Sequence, residues 1–379
     1  MRPLSDFLFG WTLLLLAATS CGSRPERQKQ DDRESTLYPL YEPRYAQRFA
    51  LLSDERGPVL RVFDPWQGAD STVFDYRLAA DTAVEPGPGE IRWPLRSVVC
   101  LSSSHVAFLD AVGAVGTVRG VSGRDFITHP AVRNETVREV GYDTHLDYET
   151  IVALQPDALF LYGLSGEHPA AEKLRQLGVP VIYISDYLEQ DPLGRAEWIV
   201  PFGLLTGRME QAVERFMAVE ESYRAIGESV ALAAPERPKV MLNAPYKEVW
   251  YLPGDRSYIV RLLNDAGAEY LGQGEDSDAS RPTSAEQVLR LLAQADFWLN
   301  PGTARSLAQL RADNRRFATL PVVRQGRVYN NDARTTPAGG SDFWESGAVR
   351  PDVVLADLVR ILHPELLPDH TLYYFRLLE

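Results

Sequence analysis

The residues of this chain that could do chemistry are polar and aromatic side chains that follow apolar, strand-like runs. Hydroxyl and amide groups hydrogen-bond a ligand, and flat rings offer it an apolar face. Because ligands of open α/β sheets lie beyond the carboxyl ends of the strands, we expect these groups to line one cleft. The candidate ligand-binding residues are Ser103, Ser104, His105, Tyr162, Asn243, Tyr246, Trp250, Arg334 and Trp344.

Apart from Asn243, these candidates also have a purely structural interpretation, and the sequence leaves both open. The backbone amides at 103 and 104 suit an anionic or polar group, but three serines in a row are equally typical of a helix N-cap. His105 either reaches a ligand or fills the first helical turn. The tyrosines and tryptophans either face a ligand or pack in a core. Arg334 either clamps an anion or lies in a solvated loop.

Signatures of catalysis and of cofactor binding are missing from the sequence. There is no Gly-x-Ser-x-Gly nucleophile motif, no phosphate-binding Gly-x-x-x-x-Gly-Lys-Ser/Thr motif and no His-Glu-x-x-His zinc motif. The six histidines are scattered, so we expect no dedicated metal site. With 39 basic and 52 acidic residues, the net charge of −13 argues against a surface that binds nucleic-acid phosphates. We therefore predict no catalytic residue, no intrinsic cofactor and no nucleic-acid partner.

The first residues have the pattern of an export signal followed by a lipid attachment site. The apolar run of about a dozen residues is short for a membrane span and typical of a signal peptide. It ends on small residues before Cys21, which resembles the site where bacterial lipoprotein precursors are acylated, with Ala18 where Leu is usual. An ordinary secretory cleavage site is the alternative. We predict a signal peptide over 1–20, lipidation of Cys21 and a polar tether over 21–37.

The rest of the chain divides into a β region and two α/β regions. Residues 38–95 alternate apolar and polar positions between Gly and Pro breaks, which predicts an accessory β meander. Buried apolar strands then alternate with helices, which favours parallel sheets covered by helices. An amphipathic pattern over 208–231 predicts one long helix. We place an N-terminal lobe at 96–193, a connecting helix region at 194–234 and a C-terminal lobe at 235–379.

The two α/β regions repeat one helix-to-strand pattern. Segment 149–161 begins with Glu149 and segment 286–299 begins with Glu286. The spacing from the Glu to the Asp before the strand is eight residues in the first copy, ending at Asp157, and ten in the second, ending at Asp296. The chain is therefore predicted to be a pseudo-duplicated α/β protein with an imperfect register between its halves.

In order and spacing, these segments resemble the cobalamin and iron-complex family of periplasmic binding proteins, the solute receptors of ABC importers. The resemblance covers about residues 96–365 and rests on segments 97–109, 148–157, 177–183 and 341–344 together with the long helix. It implies two α/β lobes with mostly parallel sheets, bridged by one rigid helix as in class III periplasmic binding proteins, that close modestly on a ligand. It also implies that Glu149 and Glu286 dock to the permease, although helix-dipole stabilisation alone explains a Glu at a helix start.

The resemblance implies a receptor that captures a ferric siderophore, haem or cobalamin between its lobes and hands it to an ABC permease dimer with its ATPase. We expect a monomer without enzymatic activity that faces the periplasm and is held to a bacterial membrane by its lipid. Two alternatives remain open. A receptor for a bare transition-metal ion needs three or four convergent His, Asp or Glu ligands. A secreted α/β hydrolase needs a nucleophile with a base in reach.

Overall fold

The computed structural model describes residues 36–80, 89–142, 145–234, 236–247, 249–274 and 276–379. The predicted signal peptide, Cys21 and nearly all of the predicted tether lie outside these residues. From Leu37 to Glu379 the chain folds as one unit. Within the described residues, no helix combines the length and the apolarity that a bilayer crossing needs.

The N-terminal part forms a five-stranded sheet in the order β1-β2-β3-β4-β5. Its strands are β1 (Tyr38–Tyr41), β2 (Phe49–Asp54), β3 (Gly57–Phe63), β4 (Val73–Ala80) and β5 (Glu90–Trp93). The first four pair antiparallel, as the alternating pattern predicts, but β5 pairs parallel to β4. One face is buried through residues such as Phe49, Leu51 and Val62, so the sheet packs on the rest of the protein rather than standing alone.

The N-terminal lobe is built on a parallel sheet with the order β12-β11-β6-β7-β8. Its strands are β6 (Val98–Cys100), β7 (Val118–Val121), β8 (Arg138–Glu139), β11 (Ala158–Leu161) and β12 (Val181–Tyr183), beside a small antiparallel pair, β9 (Gly141–Tyr142) and β10 (His145–Leu146). Its helices are α1 (Ser103–Ala111), α2 (Tyr148–Ala153) and α3 (Ala171–Gln176). Strand β11 is buried at every position, which is typical of a strand covered on both faces.

The connecting region consists of α4 (Pro192–Glu197), α5 (Ile199–Leu205) and the long helix α6 (Met209–Ala233). Helix α6 has 25 residues, which makes it about 37 Å long at 1.5 Å per residue. It buries one stripe, including Ala212, Phe216 and Tyr223, and leaves the opposite side exposed. The long helix predicted over 208–231 is therefore confirmed, with its end two residues later than the pattern indicates.

The C-terminal lobe has a sheet in the order β15-β13-β17-β18-β19, parallel except for its last strand, β19. Its strands are β13 (Lys239–Leu242), β15 (Glu269–Tyr270), β17 (Phe297–Leu299), β18 (Val328–Asn330) and β19 (Arg376–Leu377), beside the antiparallel pair β14 (Val249–Leu252) and β16 (Arg281–Ser284). Its helices are α7 (Tyr258–Asp265), α8 (Ala285–Leu292), α9 (Leu307–Asp313), α10 (Pro321–Arg324) and α11 (Pro351–Leu362).

The hydrophobic core joins these parts. One large cluster runs through the N-terminal sheet, the N-terminal lobe, α6 and one side of the C-terminal lobe. A smaller cluster around Trp250, Trp298 and Phe317 fills the other side of the C-terminal lobe. The predicted fold class, two α/β lobes bridged by one long helix with an N-terminal β sheet, is confirmed.

Candidate ligand-binding cleft

A cavity of about 230 Å³ lies between the two lobes. Tyr187 follows β12 of the N-terminal lobe, and Tyr258 begins α7 of the C-terminal lobe. Asn300 follows β17, Trp344 lies in the loop before α11, and Gln67 comes from the N-terminal sheet. The wall therefore combines aromatic rings and amides from three parts of the fold with the carboxyl groups of Glu189 and Asp278. Such a lining suits a flat molecule with polar edges.

A second cavity, of about 630 Å³, extends along the C-terminal lobe and shares Asn243, Asn300 and Trp344 with the first. Asn243 directly follows β13 and Asn300 directly follows β17, both with a left-handed backbone, at φ +67° and +59°. Asn tolerates this conformation better than most residues, so the chain can turn sharply away from the sheet at both strand ends. Asn330, the last residue of β18, adds a third amide. The carboxyl ends of three adjacent parallel strands thus line the cavity.

A third cavity, of about 350 Å³, lies on the N-terminal lobe and is lined by Tyr148, Tyr162 and His168. The ring of Tyr162 contacts the ring of Tyr187 at a centroid distance of 6.3 Å. Since Tyr187 also lines the interlobe cavity, the third cavity adjoins the cleft on its N-terminal side.

Four of the predicted ligand-binding residues line these cavities. They are Tyr162, Asn243, Tyr246 and Trp344. The side chain of Trp344 is half exposed, and its ring is supported edge-on by Phe343 at 4.8 Å. Tyr246 is two-thirds exposed, and the ammonium group of Lys247 lies 5.3 Å from the centre of its ring. Both aromatic side chains therefore present free surface to the C-terminal cavity.

The predictions for His105 and Trp250 require correction, because both side chains are fully buried. The imidazole of His105 packs against Phe160 and Phe202, and burial lowers the pKa of His105 to about 3. Trp250 donates from its indole nitrogen to the carbonyl of Leu242 at 3.0 Å. A side chain with no exposed surface cannot touch a ligand in this conformation, so both residues serve the core.

The structure gives internal partners to Ser104 and Arg334. Ser102 caps α1 by accepting a hydrogen bond from the backbone amide of Ser104 at 3.3 Å. The Ser104 amide therefore serves the N-cap. Ser104 is buried and Ser103 half-buried, and neither lines the three cavities. Arg334 is not a free anion clamp: its Nε donates to Asp342 at 2.8 Å, and the hydrogen bond to Asp342 raises the pKa of Arg334.

The loop that carries Trp344 is tied to the opposite lobe by Glu345. This carboxylate is buried and accepts the backbone N–H groups of Thr128 at 2.6 Å and of His129 at 2.8 Å. Burial raises the pKa of Glu345, whereas the two donors act to lower it. Trp344 is therefore presented to the cleft on a loop fixed at its neighbouring residue.

Both predicted docking glutamates are exposed and occupy equivalent helix positions. Asp147 caps α2 and Ser284 caps α8, and Glu149 and Glu286 each stand two residues after the cap. The two-residue difference in spacing arises afterwards, because α2 has six residues and α8 has eight. Glu286 also lies 3.4 Å from Arg290, an exposed pair of little energetic weight.

Of the residues that line the interlobe cavity, sequence reasoning predicted Asn243 and Trp344 and missed the others, including Tyr187, Tyr258 and Gln67. Tyr187 follows a strand end, as Tyr162 does, and that signal was sufficient to find it. Tyr258 is the first residue of α7, and its sequence pattern indicated a helix but no role in a site. Gln67 lies in a loop of the N-terminal sheet, outside the sequence of both lobes, so no local pattern points to it.

Comparison with known proteins decides the family. The family model for periplasmic binding proteins matches residues 98–335, more than half of the chain. The chain belongs to the periplasmic binding protein family. Its members bind small molecules for ABC transporters and are not enzymes, so this protein is a substrate-binding protein without catalytic activity. The resemblance inferred from the sequence is thereby confirmed.

Individual relatives agree with this assignment. An uncharacterised lipoprotein of Methanocaldococcus jannaschii is 26% identical over 299 residues, which are 75% of this chain and 69% of that protein. A periplasmic haem-binding protein from Pseudomonas aeruginosa superposes with a TM-score of 0.56 at 22% identity, over 71% of this chain and 93% of that chain. A periplasmic solute-binding protein from Veillonella parvula superposes with a TM-score of 0.56 at 16% identity, over 74% of this chain and 85% of that chain. The fold is that of class III periplasmic binding proteins.

The described residues contain no group of three or more His, Cys, Asp or Glu side chains that could hold a metal ion.

Proposed function

We propose that this protein is a membrane-tethered receptor that binds a ferric siderophore, haem or cobalamin between its lobes and delivers it to an ABC permease dimer. The observation that carries the proposal is the lining of the interlobe cavity. Tyr187 and Tyr258 contribute rings from opposite lobes, and Trp344 contributes a third. Macrocyclic and aromatic chelates have flat faces that pack on such rings, while neighbouring amides hydrogen-bond their polar edges.

The size of the cleft supports a ligand of this kind. The interlobe cavity of about 230 Å³ shares lining residues with the cavity of about 630 Å³ on the C-terminal lobe. Sites for small molecules commonly have volumes of about 300–1,000 Å³. A ligand seated on Trp344 would touch both cavities at once, because Trp344 lines each of them.

The membrane anchor is a lipid on Cys21, on the outer side of a bacterial membrane. The apolar run and the small residues before Cys21 support it, and two relatives are described as lipoproteins. A tether keeps a monomeric receptor at high local concentration beside its permease, which raises the chance of productive encounters without any new contact.

Glu149 and Glu286 are the proposed docking residues for the two permease subunits. Their equal position after the helix caps and their exposure support a pair of matching contacts on the two lobes. Carboxylates on opposite lobes suit recognition by paired arginines, which bind carboxylates with two hydrogen bonds. Each lobe would then contact one subunit of the permease.

Ligand titrations test the binding part of the proposal. Purified protein is titrated with haemin, a ferric siderophore and cyanocobalamin, and we expect at least one to bind with quenching of tryptophan fluorescence. Trp344→Ala should weaken that binding at least about tenfold, which is the loss expected for a central aromatic contact. Tyr38→Ala, an exposed aromatic on β1, is the matched control. Flat titrations with all three compounds would refute the assignment.

Uptake measurements test docking separately. Glu149→Ala combined with Glu286→Ala should leave ligand affinity unchanged and abolish uptake in cells that carry the permease. Glu221→Ala, an exposed carboxylate on α6, is the control and should transport normally. If the double variant loses ligand affinity instead, the two residues belong to the binding site and the docking proposal is wrong.

A further inference from the structure

The loop over residues 64–72, between β3 and β4 of the N-terminal sheet, reaches the ligand cleft. Gln67 in this loop is exposed and lines the interlobe cavity together with Tyr187 and Trp344. The family match begins at residue 98, so the loop lies outside it. A wall of the cavity therefore comes from a part of the chain that the family match does not cover.

Trp66 anchors the loop to the N-terminal lobe. Its indole packs edge-on against Tyr183, the last residue of β12, at a ring-centroid distance of 5.4 Å. Gly163, two residues after β11, leaves room for it, because a Cβ atom at position 163 would lie 2.9 Å from the Cβ of Trp66. The loop of the N-terminal sheet thus packs closely against the ends of β11 and β12 in the N-terminal lobe.

Hydrogen bonds hold Gln67 in place at the tip of the loop. Its backbone N–H donates to the carbonyl of Leu164 at 3.0 Å, across the boundary between sheet and lobe. At the base of the loop, the N–H of Asp64 donates to the carbonyl of Thr72 at 2.8 Å, and the N–H of Thr72 donates to the carboxylate of Asp64 at 3.1 Å. These hydrogen bonds close the loop at its base and hold its tip against the lobe. The backbone position of Gln67 is therefore fixed relative to the cavity.

The sheet that carries the loop is itself bound to the lobe by buried polar groups. Glu189, which lines the cavity, accepts the N–H groups of Gln47 at 2.9 Å and Arg48 at 3.0 Å. The amide of Tyr183 donates to the hydroxyl of Tyr76 at 3.0 Å. Breaking these contacts would leave buried donors and acceptors unpaired, so the sheet stays docked while a ligand enters.

We propose that loop 64–72 is part of the ligand-binding site, with Trp66 as its positioning residue and Gln67 as the residue that contacts and selects the ligand. This inference rests on the proposed function. A carboxamide is neutral and both donates and accepts hydrogen bonds, so Gln67 recognises a polar group on the edge of the metal complex. That group is an amide, a hydroxyl or a carboxylate, and a change of charge at position 67 distinguishes among them.

Isothermal titration of the full chain tests the proposal with haemin, ferric enterobactin and cyanocobalamin as probes. Gln67→Ala should weaken the binding of the accepted probe about three- to tenfold, the value of one hydrogen bond. Gln67→Glu should weaken haemin further, because its edge carries carboxylates, and should spare the amide-edged cyanocobalamin. Asp70→Ala, an exposed change in the same loop, is the matched control and should bind as the unaltered protein does.

Hydrogen–deuterium exchange of the unaltered protein supplies a second readout that needs no variant. Amides in 64–72 should gain protection when the accepted probe binds. If the unaltered protein binds a probe but Gln67→Ala matches Asp70→Ala and the loop gains no protection, the loop lies outside the site while the proposed function stands. If none of the three probes binds, the proposed function fails and the inference fails with it.

Discussion

Glu197 provides a quantitative test of how the N-terminal sheet is held to the lobes. This fully buried carboxylate, the last residue of α4, receives four hydrogen bonds from the end of β1 and the segment that follows it. The hydroxyl of Tyr41 and the N–H of Arg44 donate to one oxygen at 2.7 and 2.8 Å, and the N–H groups of Tyr45 and Ala46 donate to the other at 2.9 and 2.8 Å.

Glu197→Gln replaces one of these oxygens with an amide nitrogen that cannot accept. In one orientation, the N–H groups of Tyr45 and Ala46 lose their acceptor. In the other, Tyr41 can turn and accept, but the N–H of Arg44 loses its acceptor and the remaining bonds lose their charge assistance. Hydrogen bonds to a charged group contribute about 1.5–3 kcal/mol each. We therefore expect the free energy of unfolding to fall by about 3 kcal/mol.

Urea unfolding and hydrogen exchange measure this loss together. The unfolding midpoint should fall, and amides 44–46 should exchange faster in Glu197→Gln than in the unaltered protein. Glu221→Gln is the matched control, because this glutamate is exposed on α6. A variant with an unchanged midpoint and unchanged protection at 44–46 would refute the claim that Glu197 holds the sheet.

Three further predictions concern other buried groups. Because burial lowers the pKa of His105 to about 3, proton uptake at this residue by the unfolded chain alone should cost the protein about 2 kcal/mol of stability between pH 6.5 and 4.5. In urea titrations at both pH values, His105→Leu should remove that loss; equal acid sensitivity would contradict the assignment. Gly340→Ala should weaken the contact between the lobes, because its Cβ would overlap the carbonyl oxygen of Phe126, so amides 128 and 129 should lose exchange protection; retained protection would show that the loops adjust freely. Burial raises the pKa of the Cys100 thiol, so in a Cys21→Ser chain a thiol reagent should label Cys100 only after unfolding, and rapid native labelling would count against its burial.

Much of the fold could be predicted from the sequence because its signals are local. The apolar run of β6 and the 3.6-residue periodicity of α6 each show which residues of one segment face the core. These patterns can be recognised without knowing the rest of the chain. The strand ends followed by Tyr162 and Asn243 were predictable for the same reason, since parallel strands place their carboxyl ends on one edge.

The two predictions that the structure corrects, for His105 and Trp250, failed because the sequence does not show in which direction a side chain points. Strand β14 alternates between exposed and buried positions, so a shift of one residue separates buried Trp250 from exposed Tyr251. His105 lies on a helix whose residues are buried from 104 to 109, so the sequence offers no polar face that marks its orientation. Which face is covered depends on the neighbouring elements, and these are not contained in the segment itself.

By itself, the sequence determined the identity of the elements, their alternation and the family to which they belong, because these follow from the periodicity and order of residues along the chain. Only the tertiary structure decided which parts share the cleft. Gln67 and Leu164 are 97 positions apart and meet through one backbone hydrogen bond, and Glu345 reaches Thr128 across the two lobes. Such contacts form because distant segments bury their apolar faces together, and their polar groups must then find partners within the same interior.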